Sequence, residues 1–495
     1  MKVVFLLFYL RSTYAFLGAC TYSQERIWLD ETIRNYLTET EKDLHNYNSL
    51  IVYQVTDGYL FIKRFRQALK NVLRKHEIFR TSYSYDSDGH SVQQKINSFK
   101  ENDEYWFELS SFNPLKLDEI LLDEQRTKSL DLNQGKLFRC RLLKQNETEV
   151  NRLMKDDCIL FVFHHSAIDE FSKYLFFKDL TFAYQNDKLI SDENQLRMID
   201  YGSYERQLNL SKSQSFWEDY FSDYNFQEKL NLPYDDRKFN GISSGSFYFF
   251  EIDPSLTRQI FRYKKKSNLN FFRLFLSTYF CYLFKLTQQI DLPITGVTPN
   301  RYRKELNQLI GPLENFVIYR LILDPNKSFS HLNTQVEQIC VDVKENAAYP
   351  YQQLITYARK FSSIQYPFNQ VALRLFIDDD QWSLDVEKNL LLKKFNLYDH
   401  RLFPRKDKLT PLELTLNIVC NLDKQTIQFY FDYSNRLFDE EKIELLAKRY
   451  QKILKHLFDV SSNFDLDDEP ICKLSIILPH EEMLINNINP RTMNN

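Results

Sequence analysis

Glycine is scarce in this sequence, and the loops that bind nucleotides are missing from it. Only nine glycines occur in 495 residues, and they form neither G-x-x-x-x-G-K-[ST] nor G-x-G-x-x-G. Such loops need glycine because the backbone must come close to a phosphate group. Nucleotide chemistry is therefore not expected.

Paired cysteines and metal-binding spacings are also lacking. The cysteine total is odd and contains no C-x-x-C pair, which predicts reduced, mostly buried thiols in a cytoplasmic protein and no metal site. Residues 1–20 complicate this, because "MKVVFLLFYLRSTYAFLGAC" reads either as a signal-like segment or as a first strand. A secreted or lipid-anchored form remains the alternative. The cysteines are Cys20, Cys140, Cys158, Cys281, Cys340, Cys420 and Cys472.

The chain carries no strong net charge and no apolar run long enough to span a membrane. Its formal charge is -3 and its pI is near 6.4, so no overall field attracts nucleic acid or an anionic membrane. The apolar runs after residue 20 fall short of the roughly 18 residues that a membrane span requires. We expect neither nucleic acid nor a membrane span.

What the sequence does contain is material for two mixed domains. Hydrophobic residues make up 43% of the chain, and its length exceeds that of one ordinary core. Helical periodicity alternates with aromatic, β-branched runs, which predicts an α/β fold. We expect an N-terminal lobe over 21–195, a C-terminal lobe over 196–470 and a tail over 471–495.

The stretch "FVFHHSAIDEFS", residues 161–172, carries the clearest chemical signal. The apolar run 158–163 predicts a strand and the residues from Asp169 predict a helix, so His164 and His165 lie at a strand end. Adjacent strand residues point to opposite faces. One imidazole can therefore face a cavity while the other is held by the structure behind it.

The same twelve residues allow a purely structural interpretation. Ser166 and Asp169 fit the S-x-x-[DE] capping box of a helix start. A metal site is disfavoured because adjacent histidines do not easily converge on one ion. On these residues alone, the structural and catalytic interpretations both stay open.

"HHSAIDEFS" resembles the HHxxxDG motif of the condensation domains of nonribosomal peptide synthetases, which are related to chloramphenicol acetyltransferase-like acyltransferases. Further motifs of that family follow in the family's order over about residues 21–490. "TYSQERIW" is similar to SxAQxRxW, "KHEIFRTSY" to RHExLRTxF and "MIDYGSYERQ" to YxDYAxWQ. "NRYRKELNQLIGPLENFVIYR" is similar to GRxxxELxxLIGxFxNxxxxR, and "AAYPYQQL" to HQDYPFEQL, with Asn346 and Ala348 in place of His and Asp.

The resemblance implies two chloramphenicol acetyltransferase-like lobes that form a V-shaped pseudo-dimer with a central tunnel. It implies that donor and acceptor peptidyl carrier proteins present the substrates as thioesters on 4'-phosphopantetheine, with no tightly bound cofactor of the chain's own. The tail "LSIILPHEEMLINNINP" is similar to the segment before an adenylation domain, which makes that domain a possible partner.

The resemblance also assigns roles to the residues around the histidines. His165 is the implied catalytic histidine, and His164 orients the loop or assists. Asp169 is expected to pair with Arg301, and the two support the site rather than contact substrate. Holding two tethered reactants together converts a bimolecular aminolysis into an effectively unimolecular step.

Other residues of these motifs are expected to line a tunnel or to position loops. Glu170 stands where the family motif has glycine, and its bulk and negative charge would alter the surroundings of the histidine. The remaining candidates for these roles are Ser172, Asn315, Arg80 and Arg26.

Three functions follow as hypotheses. The first is a condensation domain that forms an amide bond between carrier-bound aminoacyl or peptidyl thioesters. The second is a stand-alone acyltransferase that makes an ester or amide from a soluble acyl thioester. The third, suggested by Glu170, is a degenerate domain that binds carrier proteins without catalysis.

Overall fold

The computed structural model describes most of the chain, in two compact units. The described residues are 16–37, 47–100, 105–125, 130–145, 149–189, 195–234, 244–363, 367–377, 384, 386, 390–395, 408–409 and 412–488. The first unit is formed by the described residues within Met1–Leu210, Pro299–Asn315 and Asp380–Pro404, and the second by those within Ser211–Thr298, Phe316–Asp379 and Arg405–Asn495. Most of the segment 1–20 lies outside the described residues.

Strands and helices alternate along the described chain. The strands are β1 Leu17–Ala19, β2 Asn48–Asp57, β3 Leu60–Phe61, β4 Thr81–Tyr85, β5 Val92–Ile96, β6 Phe107–Ser111, β7 Phe138–Lys144, β8 Arg152–Leu153, β9 Cys158–His164, β10 Ser244–Glu251, β11 Asp291–Thr298, β12 Asn315–Ile322, β13 Val371–Ile377, β14 Leu391–Lys394, β15 Lys408–Leu409, β16 Leu414–Asn421 and β17 Thr426–Ser434. The helices are α1 Tyr22–Leu37, α2 Ile62–Lys75, α3 Leu117–Gln125, α4 Glu170–Asn186, α5 Met198–Glu205, α6 Ser211–Tyr220, α7 Pro254–Ser267, α8 Phe271–Thr287, α9 Phe329–Glu345, α10 Tyr351–Ala358, α11 Glu440–Phe458 and α12 Pro479–Ile488. The predicted α/β class is confirmed.

The first unit is built around a five-stranded sheet in the order β14-β2-β9-β7-β6. All seven residues of β9 are buried, as expected of a central strand covered on both faces. Ile159, Phe161 and Phe163 belong to a large core that α2 and α4 also enter. Leu160 and Val162 belong to a smaller core on the other face. The alternation follows the two-residue period of a strand.

The second unit contains a seven-stranded sheet in the order β12-β11-β13-β16-β17-β10-β15. Its β11, β13 and β16 run parallel, and β16, β17 and β10 run antiparallel. Helix α8 is buried on nearly every side, from Phe271 to Thr287. This matches its largely apolar sequence, because a helix that is hydrophobic on most sides needs a core around it.

The two units are not continuous in sequence. β14, from the second half of the chain, pairs antiparallel with β2 of the first unit, and Pro299–Asn315 also joins that unit. The predicted lobe boundary between residues 195 and 196 stays a prediction. Of these two additions to the first unit, the segment before β12 is the one that takes part in the site around the histidines.

No helix in the described part of the chain is long and apolar enough to cross a membrane. The seven cysteines, all of them among the described residues, are free thiols, and five are buried. The prediction of mostly buried, unpaired cysteines is therefore confirmed.

Candidate active site

Strand β9 delivers the two histidines to the end of the central sheet. His164 is the last strand residue and is paired in register with Asn48 of β2. The His165 N–H donates to the Tyr47 carbonyl at 2.8 Å. The main chain of both residues is thus fixed by the sheet, which holds the two imidazoles on a rigid scaffold.

The imidazole of His164 is enclosed and hydrogen-bonded at both nitrogens. It is 1% exposed. Its Nδ1 lies 2.8 Å from the Ser166 hydroxyl, and its Nε2 lies 2.8 Å from Glu31 Oε2 on α1. Glu31 was not singled out from the sequence, because helical spacing does not tell which carboxylate of α1 faces a histidine 133 residues away. With both nitrogens engaged, His164 holds the loop.

The imidazole of His165 differs in that its Nδ1 is buried and makes no hydrogen bond to any described residue. Burial lowers the pKa of His165 to about 4, and the charges of Lys173 and Arg26 add to that lowering. The ring is therefore uncharged at neutral pH, and an uncharged imidazole has one nitrogen that donates and one that accepts a hydrogen bond.

Helix α4 starts at this loop, but not as the capping box predicts. The N-cap is Asp169, whose side chain accepts a hydrogen bond from the Ser172 N–H. Ser166 instead bonds to His164. The capping-box interpretation is wrong because three residues of loop separate Ser166 from the first helical residue, Glu170. Asp169 caps the helix alone.

The structure contains a buried ion pair between Asp169 and Arg301. Arg301 Nη2 lies 2.9 Å from both Asp169 oxygens, and the two side chains are 3% and 0% exposed. Asp169 also accepts from the Leu313 N–H at 3.1 Å, and Arg301 Nη1 donates to the Leu309 carbonyl at 2.9 Å. The network ties the start of α4 to the segment before β12.

Ser172 completes this network and is fully buried. Its hydroxyl donates to Asp169 at 2.6 Å and accepts from the Gly311 N–H at 3.0 Å. At Gly311, a Cβ would overlap the side chain of Met198 on α5. The close approach of α5 to this segment thus requires glycine at position 311. The geometry places Ser172 among the positioning groups.

Glu170 is the first residue of α4 and its side chain is 41% exposed. Its carboxylate lies 2.6 Å from Lys173 Nζ, one helical turn away. Burial raises the pKa of Glu170, but the charge and hydrogen bond of Lys173, together with the charges of Lys394 and His165, outweigh it, so the pKa lies below its usual value. The negative charge of Glu170 is therefore paired within the helix.

Glu314 is a residue of this site that sequence reasoning missed. Its Oε1 accepts the Glu170 N–H at 3.3 Å, and its main-chain carbonyl accepts from the Ser23 hydroxyl. Burial, followed by the charges of Asp169 and Glu170, raises the pKa of Glu314 to about 7. Position 314 is unspecified in the motif GRxxxELxxLIGxFxNxxxxR, so the resemblance gave no signal.

The other predicted residues have different surroundings. Arg80 Nη1 donates to the Leu73 carbonyl at 2.8 Å and its Nε to the Asn97 carbonyl at 3.0 Å, so it closes the end of α2. Asn315 is buried at the start of β12. Arg26 on α1 is partly buried and acts electrostatically on His165. Of the three, only Arg26 bears directly on the histidine.

The described residues contain no group of three or more His, Cys, Asp or Glu side chains that could hold a metal ion. The chemistry available at the loop is that of an uncharged imidazole, a carboxyl group that titrates near neutrality and a lysine. These are acid–base groups suited to proton transfer.

Comparison with known proteins identifies a family. The model of the family described as "Condensation domain" matches residues 19–469. Bacitracin synthase 1 of Bacillus licheniformis is 25% identical over 435 residues, which cover 83% of this chain and 8% of that protein. Phosphinothricin tripeptide synthetase PhsC of Streptomyces viridochromogenes is 26% identical over 402 residues, 78% of this chain and 34% of that protein. The chain thus spans a minor part of these relatives.

Solved structures share the fold at low sequence identity. The X-domain from teicoplanin biosynthesis superposes with a TM-score of 0.73 at 18% identity, covering 92% of this chain and 97% of that one. The first condensation domain of the calcium-dependent antibiotic synthetase, in complex with a substrate analogue, gives a TM-score of 0.69 at 13% identity, covering 93% and 100%.

Proposed function

The chain belongs to the condensation-domain family, and on that basis we propose that it forms an amide bond between a donor acyl group and an acceptor amine. Both substrates are thioesters on the 4'-phosphopantetheine arms of donor and acceptor peptidyl carrier proteins. The relatives named as bacitracin and phosphinothricin tripeptide synthetases support this substrate class.

The observation that carries the proposal is the contrast within the histidine pair. His164 is enclosed and bonded at both ring nitrogens, whereas His165 has a ring nitrogen without a partner among the described residues. A buried polar atom left bare costs free energy of roughly 1–3 kcal/mol. In a candidate active site, a reacting group can complete such an atom.

The reaction breaks one bond and forms another. The acceptor nitrogen attacks the donor carbonyl carbon and forms the C–N bond, and collapse of the tetrahedral intermediate breaks the C–S bond. The products are the amide and a free pantetheine thiol, which takes up the proton that the nitrogen loses. His165, uncharged at neutral pH, accepts a hydrogen bond from the attacking nitrogen or from the intermediate.

Glu170 favours a second candidate function, carrier binding without catalysis. It occupies the glycine position of the HHxxxDG motif, where a carboxylate adds bulk and charge beside His165. The ion pair with Lys173 argues against a blocked site, because it directs the carboxylate along the helix and neutralises it. We therefore place catalysis first.

The proposed partners include an adenylation domain. The tail from residue 471 resembles the segment that precedes such a domain, and its helix α12 exposes Met483, Leu484 and Ile485 to between 50% and 62%. An exposed apolar set of this kind is common at surfaces that contact another domain.

A single-turnover assay tests the proposed function. Donor and acceptor aminoacyl groups are loaded on carrier proteins, and the amide product is followed by mass spectrometry. We expect product with the wild type and a loss of about 10²–10⁴-fold with His165→Ala. His90→Ala, which removes an exposed histidine of the same unit, serves as the control and should match the wild type.

The same assay separates the three candidate functions. Product from a soluble acyl thioester and an alcohol or amine, without carriers, would identify a stand-alone acyltransferase. Carrier binding without any product, in a folded protein, would favour the non-catalytic alternative.

A further inference from the structure

Glu314 is an ionisable group of the site to which the proposed mechanism gives no role. It lies three residues after Gly311, in the segment that Arg301 fastens to Asp169. Its Oε1 accepts the first N–H of α4. The carboxyl group is therefore held at the end of α4 that begins just beyond His165.

The second oxygen of this carboxyl is available. Glu314 Oε2 makes no hydrogen bond to a described residue and is not among the enclosed polar atoms that lack a partner. It therefore reaches accessible surface. In the described part of the chain, no lysine or arginine forms an ion pair with Glu314 either.

His165 and Glu314 share two electrostatic neighbours, Lys173 and Glu170. The charge of Lys173 acts on His165, on Glu170 and on Glu314. The groups around His165 are thus Lys173 and Glu170 on α4, Arg26 on α1 and His164 on β9. Those around Glu314 are Asp169, Glu170 and Lys173.

The acceptor ammonium must lose a proton before it can attack, and His165 is a poor acceptor for that proton. A free α-amino group has a pKa of roughly 7.7–8.0, so most acceptor molecules carry an ammonium at neutral pH and cannot attack. Burial lowers the pKa of His165 to about 4, which makes proton transfer from the ammonium to this imidazole unfavourable by about 10⁴-fold. Burial raises the pKa of Glu314 toward that of the amine, so proton transfer to this carboxylate is much less unfavourable.

We propose that Glu314 accepts the proton that the acceptor ammonium must lose before it attacks the donor thioester, while His165 stays uncharged. This inference rests on the proposed function. The ammonium and the Glu314 carboxylate become an amine and a carboxylic acid. The amine then forms the C–N bond, the C–S bond breaks, and Glu314 returns its proton to water.

Rates measured with two kinds of acceptor test this inference. Glu314→Gln removes the proton acceptor, and Glu305→Gln, an exposed carboxylate of the same segment, is the matched control. With an ordinary α-amino acceptor at pH 7, we expect Glu314→Gln to slow single turnover by about 10–100-fold and the loss to shrink as pH rises above about 8, where the amine is neutral by itself.

An acyl hydrazide acceptor, whose terminal nitrogen is neutral at pH 7, should react at nearly the wild-type rate in Glu314→Gln. Equal losses with both acceptors would reveal a merely structural effect and overturn the inference. Unchanged rates with both would overturn it as well.

A binding measurement tests the same residue without turnover. Calorimetry in buffers of different ionisation enthalpy gives the protons released when an unreactive glycyl-pantetheine analogue binds. We expect the wild type and Glu305→Gln to release protons near pH 7, because the ligand's ammonium favours ionised Glu314, and Glu314→Gln or a glycolyl ligand to release none. A release independent of Glu314 would refute the inference.

The two experiments distinguish a failure of the inference about Glu314 from a failure of the proposed function. Glu314-dependent proton release without any amide product would overturn the proposed function alone. Product that requires His165 but not Glu314 would overturn this inference alone.

Discussion

Two groups of polar residues meet at the start of α4, and they differ in how completely they are paired. The Asp169 carboxylate accepts hydrogen bonds from Ser172, Arg301 and Leu313 and is fully buried. His165 and Glu314 each keep one atom without a hydrogen bond to the described residues. The fully paired carboxylate holds the loop in position, whereas the two atoms of His165 and Glu314 can bond to a substrate.

The largest effect should come from breaking the closed network. Arg301→Leu leaves the Asp169 carboxylate buried without its cation, so we expect the free energy of unfolding to fall by about 3–5 kcal/mol. Urea denaturation measures it. Lys304→Leu, which removes an exposed cation of the same segment, should leave the midpoint nearly unchanged, and equal midpoints for the two variants would contradict the assignment.

His165 and Glu314 should make the free energy of unfolding depend on pH in opposite directions. The folded pKa of His165, about 4, lies below the ordinary 6.5, so the unfolded chain binds more protons and stability falls as pH drops from 6.5 toward 4. The folded pKa of Glu314, about 7, lies above the ordinary 4.5, so its contribution is lost as pH rises from 4.5 through 7.

Denaturant unfolding of His165→Gln and Glu314→Gln, measured at a series of pH values from about 4 to about 7, gives the two contributions. Relative to the wild type, each variant should change stability by about 2 kcal/mol between the ends of its window, with opposite sign. The difference from the wild type is the proper readout because His76, whose pKa is also lowered by burial, adds a slope of its own. Parallel curves for all three proteins would show that neither pKa is shifted.

A smaller effect is expected at the partner of His164. Glu31→Ala leaves the buried Nε2 of His164 without a partner and should cost about 1–3 kcal/mol of unfolding free energy, with slower turnover because the loop loosens. Glu31→Gln retains a hydrogen-bond acceptor and should lose less. If both variants behave like the wild type in denaturation and turnover, Glu31 does not hold the loop.

Much of this arrangement was readable from local sequence. The continuous apolar run predicted β9, and the pattern after it predicted α4, because burial and helix propensity are local properties. The pairing of Asp169 with Arg301 came from the family resemblance. The spacing of residues along the chain cannot predict a contact between two residues that are 132 positions apart.

The rest depended on tertiary contacts. The capping box failed at Ser166 because its hydroxyl bonds to His164 instead of the helix. Glu31 and Glu314 were missed because their importance comes from where α1 and the segment before β12 pack, which no motif encodes. The pairing of β14 with β2 was missed for the same reason, since strand order is a property of the whole fold.

The smallest effect should follow from replacing Glu170 with glycine. Glu170→Gly removes a partly exposed ion pair with Lys173, which is worth about 0–1 kcal/mol, while the backbone N–H that donates to Glu314 remains. We therefore expect unfolding free energy to change by less than about 1 kcal/mol and single-turnover rates by less than about fivefold. Lys173→Met, which removes the other partner, is the matched variant and should also raise the pKa of His165, because the Lys173 charge lowers it. A tenfold or larger gain in single-turnover rate with Glu170→Gly would instead show that the carboxylate occupies space the substrate needs. Glu170 would then be a residue that obstructs the site and not merely the partner of Lys173.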